Sequence, residues 1–435
     1  MSTTAAEIEA TAEAGANFVD RPLSTVEARI ARASRAVLLA LAVAVGLAVI
    51  VAAGLGSASA DSASSGGSRL GGDFPAFYAA GSIVRSGDID TLYDPARQLV
   101  EQTELGLDGY LAFAYPPHVA AVYAPLSALP FRYAYVVHTA LMAVAFAAAI
   151  HVLSVPVPLV RRWKWPLLAG GFTFYPLFTA VGGGQNASLS LLLLAVVWRG
   201  LHDDRAALAG VAAGLMFYRP QYALPVIGLL LLARQTRAVA WASGVALATW
   251  AITAAFLGGG WVSTWFEEVI PFVERDAEVN ALNSISILGF LQAAWTSDGR
   301  PAVVLGAAGA SAIVLLLMWL WWRPDRFSLA NRMGALALGV ILISPHTMFY
   351  DATVMLIAGA ALLAEITDAG PSRDPLHVSR VVQLISLVWV GALAHLASER
   401  IGATPLALVA LAAFGGFVWR VVMQDHNSMY VAGLN

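Results

Sequence analysis

Apolar stretches of membrane-spanning length recur from residue 36 to residue 423, and only short polar breaks separate them. A helix needs about 20 predominantly apolar residues to cross the hydrocarbon core, and somewhat fewer inside a packed bundle. Hydrophobic residues make up 59% of the chain and charged residues only 12%. A soluble domain carries roughly twice that charged share. Water does not solvate such a surface, so the solvent is the bilayer, and the chain reads as an all-α integral membrane protein.

The expected spans lie near 36–56, 131–153, 166–181, 187–200, 206–218, 220–233, 237–257, 300–322, 330–345, 349–366, 378–396 and 401–423, about twelve in all. The apolar stretch 118–129 ends at Pro130 and reads as a re-entrant or interfacial helix, with a further span as the alternative. Residues 1–30 read as a disordered cytoplasmic leader, and 31–435 as one polytopic membrane domain. The first apolar run ends in Ser57-Ala58-Ser59-Ala60, which resembles a signal-peptidase site. Its leader carries acids and its run is long for a signal peptide, so it reads as an uncleaved first span.

Arginine and lysine favour the cytoplasmic side. With the N-terminus inside, 17 basic residues fall inside and 7 outside, with Arg132 ambiguous. This orients a multi-pass protein of the cell (inner) membrane with both termini cytoplasmic. Two outer loops exceed what a compact bundle needs, at 57–118 and 258–284. In the first, Phe74–Val84 and Pro95–Leu105 have the apolar spacing of helices lying on the membrane surface. In the second, Trp261, Trp265 and Phe272 stand among Glu267, Glu268, Glu274, Asp276 and Glu278, as suits an interface. No internal repeat is evident, which weighs against many carrier folds.

A net charge of -3 gives no footprint for nucleic acid, and a chain with no cysteine has no disulfide, thiolate metal site or cysteine nucleophile. Several unusual motifs fall on the outer side of this topology: Gly71-Gly72-Asp73-Phe74-Pro75, Tyr115-Pro116-Pro117-His118, Gly182-Gly183-Gly184-Gln185-Asn186, Tyr218-Arg219-Pro220-Gln221, and Ser344-Pro345-His346 with Tyr350-Asp351. Their convergence marks a candidate extracytoplasmic site. Asp73 reads as a general base for a hydroxyl, or as an N-cap for the helix beginning at Phe74. Arg219, between two apolar stretches, reads as a phosphate ligand or as a side chain snorkelling to headgroups. His346 is a candidate donor to phosphate or to a leaving oxygen. Gln185 and Asn186 read as ligands for sugar hydroxyls or as helix caps. Tyr78, His118 and Gln221 complete the candidate sugar- and acceptor-binding set. His138 and His151 read as structural, and Tyr115-Pro116-Pro117 as a rigid turn. Asp88-Ile89-Asp90 has the form of a metal-binding pair but sits in turn-forming sequence, so no metal or other cofactor is expected.

These residues resemble glycosyltransferase family 87. The matching pieces are Asp73-Phe74-x-x-x-Tyr78-x-Ala80-Gly81, Leu92-Tyr93-Asp94-Pro95, Tyr115-Pro116-Pro117, Gly184-Gln185-Asn186, Arg219-Pro220-Gln221 and Ser344-Pro345-His346, over about residues 70–365. The resemblance implies a GT-C-type membrane bundle with a helical first extracytoplasmic loop and an outward-facing active site. It implies a polyprenyl-phosphate sugar donor and inversion at the anomeric carbon. Relatives include an actinobacterial mannosyltransferase acting on phosphatidylinositol mannosides and an arabinofuranosyltransferase, so mannose is the favoured sugar. GT-C enzymes place a base aspartate in the first outer loop, where Asp73 stands. Family members commonly carry lysine where this chain has Arg219, which keeps the charge.

The expected reaction is a single displacement. Asp73 deprotonates an acceptor on a lipid or glycan, and Arg219, His346 and Tyr350 stabilise the departing lipid phosphate. Donor, acceptor and membrane lipids are then the partners. The competing reading is a lipid-linked-sugar flippase, which places its charges around a mid-bilayer cavity rather than at one face.

Overall fold

The computed structural model describes residues 72–105, 111–295, 299–368 and 375–431. The leader at 1–30, the expected span at 36–56 with its signal-peptide alternative, and the loop segment 57–71 lie outside the described residues.

The described chain is helical. In order, the helices are α1 Phe74–Ser86, α2 Pro95–Glu104, α3 Pro117–Tyr123, α4 Phe131–Leu153, α5 Pro158–Arg162, α6 Lys164–Gly171 and α7 Tyr175–Gly182. Next come α8 Ala187–His202, α9 Ala206–Leu215, α10 Pro220–Leu232, α11 Thr236–Leu257, α12 Trp261–Val279 and α13 Ile287–Ala294. The rest are α14 Gly299–Trp322, α15 Leu329–Ile343, α16 Met355–Asp368, α17 Pro375–Leu393, α18 Ser398–Ile401 and α19 Pro405–Val431. Among the described residues the only β feature is an isolated bridge between Ser284 and Met348.

Six segments among the described residues are long and apolar enough to cross a membrane: Phe131–Leu153, Thr236–Leu257, Arg300–Trp322, Phe349–Thr367, Val381–Ile401 and Pro405–Met423. The pair α7 and α8 passes the same test together but is bent by 119°. Three shorter apolar helices, Ala206–Tyr218, Pro220–Leu232 and Leu329–Ile343, fall where the sequence suggests spans. The fold is therefore an all-α membrane bundle with six or seven full-length spans in the described part, and a count of twelve requires the three shorter helices, a separate span at 166–181 and the span at 36–56.

The expected span at 166–181 is broken into α6 and α7. Gly170 and Gly171 loosen the chain there, Pro176 starts the next helix, and Gly182-Gly183-Gly184 ends it at the bend. The stretch 118–129 resolves into the seven-residue α3 and the 3₁₀ turn Leu126–Ala128. At 1.5 Å per residue α3 reaches only about 10 Å, too short to span.

Among the spans, α9 and α11 pack closely through small residues. A methyl group at Gly210 would lie 2.2 Å from the Ala238 carbonyl oxygen, and one at Gly214 would lie 2.8 Å from that of Ala242. Spacing two glycines four apart lets two backbones touch, which is how helices associate where lipid supplies no hydrophobic drive. The loop-one helices form as their spacing predicts, but α1 is not a surface helix. Phe74, Phe77, Ala80 and Ile83 are buried, with the Phe77 ring stacked on Tyr123 at 4.9 Å between centroids. This packing fixes the N-terminus of α1, and with it Asp73.

Candidate active site

A cavity of about 880 Å³ opens among the N-terminus of α1, the turns before α3, α8 and α10, the helix α12, and the segment 346–351. Its lining includes Asp73, Gln185, Arg219, Gln221, His346 and Tyr350. Six of the nine expected site residues thus meet in one place. Tyr78, His118 and Asn186 are not among the lining residues. The Tyr78 hydroxyl donates to the Leu129 carbonyl at 2.8 Å. Asn186 is buried and accepts from the Tyr123 hydroxyl at 2.7 Å. His118 packs its ring edge-on against Trp261, and burial pulls its imidazole down to about 4, so it is neutral at neutral pH.

Asp73 sits at the N-cap position of α1, yet its side chain makes no capping hydrogen bond. Pro75 near the helix start leaves fewer amides to cap. The carboxylate turns into the cavity, where its Oδ2 accepts from the Gln185 side-chain amide and, at 3.5 Å, from the Tyr350 hydroxyl. The backbone locks the same pairing, since the Asp73 N–H donates to the Gly183 carbonyl at 3.0 Å. Gly72, at φ +51°, makes the turn that allows it.

Burial is the dominant influence on the Asp73 carboxyl and raises it above its ordinary value of 3.8. The Gln185 hydrogen bond opposes this, the nearby Asp276 charge adds to it, and His346 and Tyr350 oppose it. A carboxylate held by neutral donors and poorly solvated is a stronger base than a surface aspartate.

Arg219 stands between the 3₁₀ turn Met216–Tyr218 and α10. It is only 4% exposed and forms an ion pair with Asp351. Its Nη2 donates to the Tyr115 hydroxyl at 2.9 Å, and the Tyr115, Tyr218 and Tyr222 rings lie 5.7, 5.9 and 5.7 Å from the guanidinium. Aromatic faces and one carboxylate thereby compensate a charge that apolar surroundings alone would not hold. The other Asp351 oxygen accepts from the Met348 N–H at 3.1 Å, which anchors the turn carrying Tyr350.

The His346 segment is tied to the end of the second long loop. The Ile285 N–H donates to the Thr347 carbonyl at 2.9 Å. His346 Nδ1 lies 3.3 Å from Asp276 Oδ2, and the Asn280 side-chain amide donates to Asp276 Oδ1 at 2.6 Å.

Tyr115, Asp276 and Asp351 were not assigned to the site from the sequence. The acids of loop two and the Tyr350-Asp351 pair were visible there, but the folded chain alone shows which cation each one meets. Asp88 and Asp90 lie away from the cavity, where Asp88 pairs with Arg97 at 3.3 Å. Among the described residues no group of three His, Asp or Glu is placed to hold a metal ion.

A helical membrane bundle with a large cavity, lined by a desolvated carboxylate and amide and hydroxyl donors, has the equipment for activating a hydroxyl. Residues 113–345, more than half of the chain, match the model of glycosyltransferase family 87, and the chain belongs to that family. The match includes Gln185, Arg219, Gln221 and Asp276, and its limits leave Asp73, His346 and Asp351 outside. No curated protein and no solved structure matches the chain.

Proposed function

We propose that this chain is an inverting glycosyltransferase that moves a sugar, with mannose favoured, from a polyprenyl-phosphate carrier to a lipid or glycan acceptor at the extracytoplasmic face. Family membership supports the reaction class. The observation that carries the mechanism is the Asp73 carboxylate, turned into the cavity with its Oδ2 held by Gln185 and Tyr350 and its Oδ1 free of hydrogen bonds among the described residues.

In this reading the acceptor hydroxyl approaches Asp73, which removes its proton as the oxygen attacks the anomeric carbon. The bond to the carrier phosphate breaks with its electron pair remaining on the phosphate oxygen. Attack from the face opposite the leaving group inverts the anomeric centre. His346 and Tyr350 donate to the growing phosphate charge, and Arg219, its charge balanced by Asp351, forms part of the polar wall behind them. Gln221 and Gln185 reach sugar hydroxyls. Tyr78, His118 and Asn186 contribute through the loop and helix starts they pack rather than through the cavity wall.

The test is transfer by purified protein in detergent, given polyprenyl-phosphate-linked mannose or arabinose and a lipid extract, beside Asp73→Asn. Labelled product from the native chain alone supports the donor class and the base together. Product from both proteins removes Asp73 as the base. Movement of the donor across liposome membranes without transfer favours the flippase reading.

A further inference from the structure

In the cavity, Arg219 and His346 each face a carboxylate. Arg219 is paired with Asp351, and His346 faces Asp276 at ion-pair distance. Asp73 and Glu268 add further acid to the lining. An anion entering this space therefore meets the carboxylates of Asp73 and Glu268, and an Arg219 whose charge Asp351 already balances. Arg275 is different: it lines the cavity, is exposed, and makes no hydrogen bond or ion pair among the described residues.

Its position follows from the helix that carries it. Along α12, Trp265, Glu268, Phe272, Arg275, Asp276 and Val279 all face the cavity. That is the three-and-four spacing of one helical stripe. The Trp265 indole N–H donates to the Ala114 carbonyl at 3.2 Å and fixes which way the stripe points. Glu268 lies two turns from Arg275, about 10 Å along the axis, and leaves the guanidinium unpaired. Val279, one turn beyond Arg275, lines the cavity and is 75% exposed. A guanidinium with an exposed aliphatic side chain one turn away suits a phosphate that is attached to a hydrocarbon chain.

We propose that Arg275 is the residue that recognises the phosphate of a lipid-borne phosphate ligand at the mouth of the cavity, while the Arg219–Asp351 pair forms a neutral wall behind it. This rests on the polyprenyl-phosphate reading above and assigns its phosphate contact. Arginine matches phosphate with two parallel N–H donors, and its weaker hydration lowers the cost of the contact relative to lysine.

The experiment measures binding of polyprenyl phosphate, uncharged polyprenol and inorganic phosphate to purified native protein, Arg275→Gln and Arg275→Lys, by native mass spectrometry or tryptophan fluorescence. Arg275 is exposed and unpaired, so its replacement leaves packing intact. The expected result is polyprenyl phosphate affinity weakened about tenfold or more in Arg275→Gln. Arg275→Lys should recover part of the loss, and polyprenol binding should not change. Equal polyprenyl phosphate affinity in native protein and Arg275→Gln overturns the assignment of Arg275 and leaves the donor class standing. Inorganic phosphate bound as tightly as polyprenyl phosphate overturns the lipid-borne source. Failure of native protein to bind polyprenyl phosphate while it transfers sugar from another donor overturns the underlying reading instead.

Discussion

Arg219 and Asp351, 132 positions apart, form a buried ion pair that joins the start of α10 to the turn leading into α16. Removing one member of such a pair leaves an uncompensated charge, at a cost of about 3–5 kcal/mol. Asp351→Asn should therefore lower the unfolding midpoint in detergent sharply. The double variant Arg219→Gln with Asp351→Asn should lose much less than the sum of the two single changes. Unfolding followed by tryptophan fluorescence checks this, and strict additivity would show that the pair is not energetically coupled.

Asp73→Asn should remove sugar transfer and raise stability. A positioned base contributes about 10²–10⁴-fold to rate, so the loss should lie in that range or beyond. The sign of the stability effect follows from the raised carboxyl. Folded chain holds the proton more tightly than unfolded chain, so native stability declines as pH rises from 3.8 through the raised value. Asparagine has no charge to desolvate, and its gain should be present at neutral pH and fade as pH falls toward 4. Transfer by native protein should lose its rate on the acid side at a higher pH than an ordinary aspartate would set. Midpoints for both proteins across this range decide it, and a destabilised Asp73→Asn would contradict the argument.

Gly72→Ala should act on the site through the backbone. Gly72 has φ +51°, and an added methyl would lie 2.5 Å from the Gly183 carbonyl oxygen. The left-handed conformation alone costs a non-glycine residue about 1–2 kcal/mol. Relief of the clash would push the chain away from Gly183 and carry Asp73 out of reach of Gln185. A displacement near 1 Å at a reacting group lowers rate by roughly 10²-fold. Comparing transfer rate with unfolding midpoint separates the two effects. The rate should fall much further than the small loss of stability accounts for.

The bundle was legible because apolar length is a local property of sequence, and, apart from the broken stretch 166–181, the helices of 131–257 and 300–366 begin and end close to where it places them. The site was legible in part for a different reason. Asp73, Gln185, Arg219 and His346 each stand beside glycine or proline at a helix end, and those residues mark turns wherever they occur. Pairing was not legible. Nothing near Arg219 in sequence points to Asp351, and nothing in the acidic run of loop two distinguishes Asp276, which meets His346, from Glu274, which is exposed. From the residues alone the N-cap reading of Asp73 was the stronger one. It gave way because the cavity offers the carboxylate two donors in Gln185 and Tyr350.

The contact between Asp276 and His346 leads to the last prediction. Asp276 lies on α12 and His346 on the segment after α15, with 3.3 Å between Oδ2 and Nδ1. Asn280 holds the other Asp276 oxygen, and the Phe272 ring meets the imidazole edge-on at 5.8 Å. Two side chains of one helix, Asp276 and Phe272, thereby flank the imidazole. If Asp276 acts by orienting His346, then Asp276→Asn and His346→Gln disable the same step. Each single variant should lower the rate of transfer by about tenfold or more, the loss of one charge-assisted contact. The double variant should be little worse than either. Steady-state rates for the three variants test this directly. Multiplying effects would mean that Asp276 acts on the cavity independently of His346, through its charge near Asp73.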